Sequence, residues 1–231
     1  MPGKAAVTPG GIAVVNASDL LIQAAALAMV DAVAVQCIEF CRDWSRLLCE
    51  PSLYGRIEDV PDRMATIVIV NDSDQADALG YHTEYAGVVS GIVAVRPILS
   101  SGGTILSGSR SVSCVLSHEV LEPIVDPFCN SLARAADGRK WPIEVCDAVE
   151  GNSYEIGEIS VSDYLLPAWV NWSPPSDAKF NVLGTLSGPF SLAPGGYAMV
   201  EEANGVVTEV GAARPVHRPE THYSRSRKRR Q

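Results

Sequence analysis

Ser117-His118-Glu119-Val120-Leu121-Glu122 is the stretch of this 231-residue chain from which its fold and chemistry can be inferred. On a helix, His118 and Glu122 lie roughly 40° apart around the axis, so both side chains can point at one object. Glu119 projects to the side of that pair. The layout is that of the H-E-x-x-H helix, in which two histidines hold zinc and the glutamate activates water, except that Glu122 replaces the second histidine. We therefore predict a motif helix over about 111–122, with His118 and Glu122 as metal ligands and Glu119 as general base.

A metal site on this helix needs a third protein ligand, and three downstream carboxylates are candidates. Asp126 lies beyond the motif, but the ring of Pro123 would clash with the carbonyl of Glu119, which argues against an unbroken helix to Asp126. Glu144 and Asp147 lie further along the chain and could fold back onto the helix. Glu144 is the first choice, with Asp147 and Asp126 behind it.

The ligand set determines which metal would suit the site. One neutral histidine and two carboxylates cancel the charge of a divalent metal, so a bound water is acidified less than at a three-histidine site. Zinc is the first expectation, although oxygen-rich ligation also suits manganese, calcium or magnesium. The residues alone support an alternative equally well, in which His118, Glu119 and Glu122 form a solvated or internally paired helix end.

Composition and charge indicate a folded body with a basic tail. Of the residues, 47% are hydrophobic, which is enough for one full core, and the net charge is −9. Residues 214–231 hold seven Lys and Arg against one Glu, so this segment carries +6 and the first 213 residues carry −15. Such a tail, which we expect to be disordered, often contacts nucleic acid or an acidic partner surface. We predict a flexible lead over 1–11, a single domain over 12–211 and the tail over 212–231.

The cysteines and the apolar segments favour a cytoplasmic protein without a membrane span. The six cysteines form no C-x-x-C pair, and no signal peptide is visible. The apolar stretch over 12–38 contains Asn16, Asp19, Gln23 and Asp31, whereas a membrane span needs about 20 residues nearly free of such groups. We expect a soluble protein with reduced thiols.

Hydrophobic patterns predict an α+β fold around the motif helix. Two apolar runs, Ile12–Val15 and Thr66–Val70, predict strands, and the Ala-rich segment from Asp19 to about Leu48 predicts one long helix. The run Gly91–Arg96 predicts a strand that Pro97 places at a sheet edge or simply ends. The expected fold therefore has a long N-terminal helix, a small mixed sheet, the motif helix and a C-terminal part rich in short strands and loops.

His82 is a second candidate for catalysis. It lies in Gly80-Tyr81-His82-Thr83-Glu84, a predicted turn just before the presumed edge strand. From there it could border the cleft and stabilise an oxyanion. The alternative is a hydrogen-bonding structural residue, which is the commoner role of a lone loop histidine.

An ordered set of short motifs resembles a group of little-characterised proteins encoded by phages and bacteria. The shared motifs, which cover most of residues 12–200, are Ala78–Glu84, Val95–Pro97, Ser117–Glu122, Asp126-Pro127, Glu144–Asp147, Val161–Asp163, Leu166–Trp169 and Pro194–Tyr197. These proteins look like relatives of the zincins, which are metallopeptidases with an H-E-x-x-H motif. In this group H-E-x-x-E replaces that motif. The resemblance implies a zincin-like fold in which His118 and Glu122 bind the metal and Glu119 is the base. In zincins an edge strand can hold an extended peptide across the cleft.

Two functions follow as expectations. The first is a metal-dependent peptidase that acts on a peptide or protein substrate. The second is a non-catalytic structural or adaptor component of a phage head or tail, because such proteins can be virion-associated. In that case the zincin-like body would be a scaffold, and the tail would contact virion proteins, nucleic acid or an acidic surface. The expected location is the host cytoplasm, with incorporation into a virus particle in the second case.

Overall fold

The computed structural model describes residues 11–75, 78–85 and 87–211. The strands are β1 (Ile12–Asn16), β2 (Pro51–Tyr54), β3 (Ala65–Val70), β4 (Gly80–Tyr85), β5 (Val88–Ala94), β6 (Leu132–Arg134), β7 (Lys140–Pro142), β8 (Ser153–Ile156), β9 (Ile159–Ser162), β10 (Tyr197–Glu201) and β11 (Val207–Gly211). The helices are α1 (Gln23–Asp43), α2 (Val95–Ser100) and α3 (Val112–Val125), with short 3₁₀ helices at Ile57–Asp59, Asp147–Val149 and Pro167–Val170. The predicted basic tail over 212–231 lies outside the described residues, as does the predicted lead apart from Gly11.

Five strands form one mixed sheet in the order β2-β1-β3-β5-β4. β1 pairs in parallel with β2 and β3, β3 pairs in parallel with β5, and β4 runs antiparallel to β5. The four short strands β11-β10-β7-β6 and the hairpin β8-β9 belong to the C-terminal part. The predicted α+β class is confirmed.

The strand before Pro97 was predicted to end there or to lie at a sheet edge. It ends at Ala94 and is an interior strand, so the edge alternative was wrong. β5 begins at Val88 and lies between β3 and β4. Pro97 is the third residue of α2, where the N–H that proline lacks would have no intrahelical partner. The proline therefore marks a helix that follows the strand directly, not an edge. The edge strands are β2 and β4, and His82 lies in β4 and not in the predicted turn.

α3, the motif helix, lies in the core of the protein. All of its residues except Val115 are buried, as expected for a helix that is covered on every side. It packs against β9, β5, β4 and α1. Because a buried polar group without a partner destabilises the fold, the polar side chains of α3 need partners inside the protein.

α3 extends beyond its predicted end. Ser111 caps its first turn, where Ser111 Oγ accepts a hydrogen bond from the Cys114 N–H (3.1 Å). Pro123 cannot donate to the Glu119 carbonyl, yet the helix continues to Val125. Packing on all sides keeps the last turn helical despite the proline.

Two serines of α3 fix the helix to β9. Ser113 Oγ donates to the Ser160 carbonyl (2.7 Å), and the Ser162 N–H donates to Ser117 Oγ (2.7 Å). Both bonds join buried groups. They set the position of the motif helix along the β8-β9 hairpin, directly next to His118.

α1 is shorter than predicted, since it covers Gln23–Asp43. By length and composition alone it could cross a membrane, a test that core helices of soluble proteins also pass. Its buried face contacts β1, β2, β9 and α3. Within that face Phe40 packs edge-on against Tyr164, with ring centroids 4.9 Å apart.

Candidate metal centre

The candidate metal centre lies where α3 meets the edge strand β4 and the segment that follows β7. Its side chains carry imidazole, carboxylate or thiol groups and come from three parts of the chain. They are His82 from β4; His118, Glu119 and Glu122 from α3; and Glu144, Cys146 and Asp147 from the segment after β7.

His118 and its neighbours form the first half of the centre. His118 Nε2 lies 3.1 Å from Glu122 Oε1, the i to i+4 partner, and 3.3 Å from Asp147 Oδ1. The Cys146 N–H donates a hydrogen bond to the same Glu122 oxygen (3.3 Å). The structure thus places Asp147 beside His118, whereas the sequence had favoured Glu144.

His82 and its neighbours form the second half. His82 Nδ1 lies 3.1 Å from Glu119 Oε2 and 3.4 Å from Glu122 Oε2. At the other ring nitrogen, His82 Nε2 lies 3.9 Å from Glu144 Oε2. Neither of these last two atoms has a hydrogen-bond partner among the described residues. Glu122 therefore faces a different histidine with each of its oxygens.

Asp126, the remaining predicted ligand, is engaged elsewhere. Its Oδ2 accepts a hydrogen bond from the Ser131 N–H (2.8 Å) and its Oδ1 accepts one from the Ser131 hydroxyl (2.9 Å). As the residue that ends α3, Asp126 holds the chain in the turn that follows the helix. Among the described residues, Asp126 is not within ion-pair distance of His118 or His82.

Burial and crowding of like charges shift the pKa values of the centre upward. Burial, followed by the neighbouring Glu122 charge, raises the pKa of Glu144 well above its usual range. Burial also raises the pKa of Glu122, against the opposing effect of His118. For His118 burial lowers the pKa, but Glu122 and Asp147 raise it by more.

Among the described residues, no Lys or Arg lies within ion-pair distance of Glu119, Glu122 or Glu144. Within the described residues, the two histidines are therefore the groups that can offset the charge of these three glutamates.

The donor atoms suit a divalent metal in spacing and in chemical type. Two groups of three donors share Glu122, and within each group all atoms lie within 4.8 Å of one another: His118, Glu122 and Cys146, and His82, Glu119 and Glu122. Zinc bonds to nitrogen and oxygen of about 2.0–2.1 Å place tetrahedral neighbours about 3.3 Å apart. The two carboxylate oxygens at His118 Nε2 lie at 3.1 and 3.3 Å. These buried groups could hold a metal ion.

Two glycines make room for the centre. A Cβ at Gly80 would lie 2.8 Å from Glu119 Oε1 and 2.6 Å from Val115 Cγ1, so α3 could not approach β4 as it does. Gly91 pairs with His82 across the β4-β5 ladder. A Cβ at Gly91 would lie 3.3 Å from the His82 Cβ and 2.9 Å from the Tyr81 carbonyl oxygen. The missing side chains leave the space that the motif helix and His82 occupy.

Sequence reasoning missed Cys146 and both glycines. Cys146 was not singled out because the cysteines form no C-x-x-C pair, although it lies between the candidate ligands Glu144 and Asp147. The roles of Gly80 and Gly91 depend on which element packs against β4 and β5. That contact joins residues far apart in the chain, so no local pattern could have indicated it.

Comparisons with known protein families, with characterised proteins and with solved structures find no match to this chain. The resemblance to zincin-like H-E-x-x-E proteins and the association with virus particles therefore stay predictions. The function must be inferred from the geometry of the centre.

Proposed function

We propose that this protein is a metal-dependent hydrolase of peptide bonds, with zinc held by His118, Glu122 and Asp147. The observation that carries the proposal is the position of Asp147, whose Oδ1 lies 3.3 Å from the same His118 nitrogen that faces Glu122. It supplies the third protein ligand that a motif helix with two donors lacks. Cys146, whose donor atom lies within 4.8 Å of those of His118 and Glu122, is a further candidate ligand.

A divalent metal at this position would polarise the scissile carbonyl and lower the pKa of a water molecule. Glu119, which follows His118 in the helix, would accept the proton of that water. His82 Nδ1 faces two carboxylate oxygens, of Glu119 and Glu122, and therefore carries the ring proton. Its contact with Glu119 (3.1 Å) fixes the orientation of the base. In this proposal His82 is a positioning residue, and the oxyanion contact predicted from the sequence is not needed.

The main sheet supports a zincin-like arrangement around the centre. β4 is an edge strand, runs antiparallel to β5 and contacts α3. An extended peptide can add to the edge of a sheet through main-chain hydrogen bonds. A peptide paired with β4 would run beside the strand that carries His82. We therefore infer that the substrate is an extended segment of a peptide or protein.

Metal analysis of the purified full chain, followed by hydrolysis assays, tests the proposal. We expect the wild type to contain zinc and His118→Ala to lose the zinc at this position. The control Glu158→Gln, which alters an exposed glutamate, should retain it. Hydrolysis of a peptide library should require zinc and fall about 10²–10⁴-fold in Glu119→Gln. A protein without zinc, or with the same zinc content after His118→Ala, would refute the proposal.

A non-catalytic metal-bearing scaffold is the second candidate, and the burial of the centre favours it. Its place in a virus particle rests on the resemblance to phage proteins. His118 is 6% exposed and Glu122 is 3% exposed, and structural zinc sites are closed whereas catalytic sites keep an open position. Zinc would then support the fold, and the peptide library would stay uncut. Deleting residues 214–231 should abolish association with particles, and unchanged incorporation of the truncated protein would count against this candidate.

A further inference from the structure

Two metal-binding atoms on the His82 side of the centre are left without partners. His82 Nε2 and Glu144 Oε2 lie 3.9 Å apart, and both are buried with no hydrogen-bond partner among the described residues. His82 is 7% exposed, so water cannot freely solvate its ring. A separation of 3.9 Å is too long for a direct hydrogen bond. No described residue supplies a hydrogen bond to either atom, and a bound metal ion would satisfy both.

The position of the proton on the His82 ring determines which kind of group could bind His82 Nε2. In the neutral ring the proton lies on Nδ1, which faces Glu119 Oε2 and Glu122 Oε2, so Nε2 keeps a lone pair that can bind a metal ion. In that form the Nε2 lone pair and the Glu144 carboxylate both face the space between them. Histidines that bind metals typically have this arrangement, in which one nitrogen donates to a carboxylate and the other binds the ion.

The centre holds more carboxylates than one divalent ion would balance. Four carboxylates, those of Glu119, Glu122, Glu144 and Asp147, surround two imidazoles. Carboxylates bind metal ions in their ionised form. With all four ionised, one divalent ion at His118 would balance two of these charges, and a second divalent ion would balance the other two.

Cys129 is a candidate third donor on the His82 side. Its buried thiol raises the pKa of both His82 and Glu144. The Cys129 N–H donates to the Asp126 carbonyl (3.1 Å) in the turn after α3, and the residue has a φ of 48°, which non-glycine residues rarely adopt. Imidazole, carboxylate and thiol together form a donor set that favours zinc.

We propose that the protein binds a second zinc ion between His82 Nε2 and Glu144 Oε2, with Cys129 as a candidate third donor. The proposal rests on the zinc centre at His118 and extends it. Tetrahedral zinc ligands lie about 3.3 Å apart, so His82 Nε2 and Glu144 Oε2 would approach each other by about 0.6 Å when one ion binds both. Glu122 faces His118 with one oxygen and His82 with the other, so it lies between the two ions. The second ion would hold the His82 ring in place against Glu119.

Zinc per chain, measured by mass spectrometry on the dialysed full chain, tests this proposal. We expect two equivalents in the wild type and in the control Glu158→Gln, and one equivalent in Glu144→Gln and in His82→Gln. Circular dichroism should show that each variant is folded. One equivalent in the wild type, or two in Glu144→Gln, would overturn the second site and leave the His118 site intact. A protein without zinc would overturn both.

Cobalt substitution gives a second measurement that keeps all carboxylates in place. Cobalt in the second site should give a cobalt–thiolate absorption band that weakens in Cys129→Ser. The parallel variant Cys146→Ser reports any thiolate contribution from the His118 side. A spectrum unchanged by Cys129→Ser would contradict the third donor.

Discussion

Gly80 lets the motif helix lie directly against the edge strand. A Cβ there would lie 2.8 Å from Glu119 Oε1, so Gly80→Ala should push the base from its position beside His82. Overpacking of this kind costs about 1–3 kcal/mol. We expect urea unfolding to show this loss and the zinc-dependent hydrolysis to fall. Gly188→Ala is the control, because a Cβ at Gly188 meets nothing within 4 Å, and equal effects of the two variants would contradict the prediction.

Asp163 is a buried carboxylate with a structural role and gives a pH prediction. It accepts hydrogen bonds from Asn181 Nδ2 (2.6 Å) and from the Tyr164 N–H (2.9 Å). Burial raises the pKa of Asp163, although these donors lower it in part. Because the folded state then holds the proton to higher pH than the unfolded chain, this group contributes stability that is fully present below the unfolded pKa. The contribution is lost as the pH rises through the folded value.

The test compares unfolding free energies of the wild type and Asp163→Asn. We expect the advantage of the wild type to shrink as the pH rises from about 4, near the unfolded pKa of an aspartate, to about 7. Urea unfolding at successive pH values measures it. An advantage that grows with pH would show that the folded pKa of Asp163 is lowered instead.

The motif helix depends on β9 for its position. Ser117 Oγ accepts the Ser162 N–H (2.7 Å) and donates to the Cys114 carbonyl (2.9 Å), and all three groups are buried. Ser117→Ala leaves the Ser162 N–H without a partner, which should lower the unfolding free energy by about 1–3 kcal/mol. Chemical denaturation measures the loss, with the exposed Ser173→Ala as control. A loss no larger than that of the control would mean that the tie to β9 is unimportant.

The same helix shows which parts of the centre were predictable. The contact of His118 with Glu122 depends only on helical spacing, so the sequence was sufficient. The third ligand depends on how the segment after β7 returns to α3. Glu144 and Asp147 are close in sequence, and the path of that segment sends one to His82 and the other to His118. Packing likewise overrode the helix-breaking tendency of Pro123.

The strands show the same limit. The apolar runs of β1 and β3 were predicted from their composition and lie in the sheet. The edge position was assigned to β5 because of Pro97, but strand order depends on pairing between distant segments. β4 has no strong apolar run of its own. The apolar residues that indicate pairing, such as Val89 and Val93, belong to its neighbour β5. The place of β4 beside α3 therefore could not be inferred locally.

At the scale of the whole molecule, the buried carboxylates should make stability depend on bound metal. A ligand present at about 100 times its Kd stabilises the folded state by about 2.7 kcal/mol per site. We therefore expect a chelator to lower the Tm of the full chain and added zinc to restore it. The double variant His118→Ala/Glu144→Gln should respond to neither. Equal Tm values with and without chelator would show that the fold does not use a metal.

Anomalous diffraction at the zinc edge, from crystals of the zinc-loaded protein, tests the central claim most directly because it locates the ion. We predict a peak within bonding distance of His118 Nε2, Glu122 Oε1 and Asp147 Oδ1. Zinc-saturated crystals in which His118 and Glu122 remain hydrogen-bonded to each other, with no peak between them, would contradict the assignment of a metal centre.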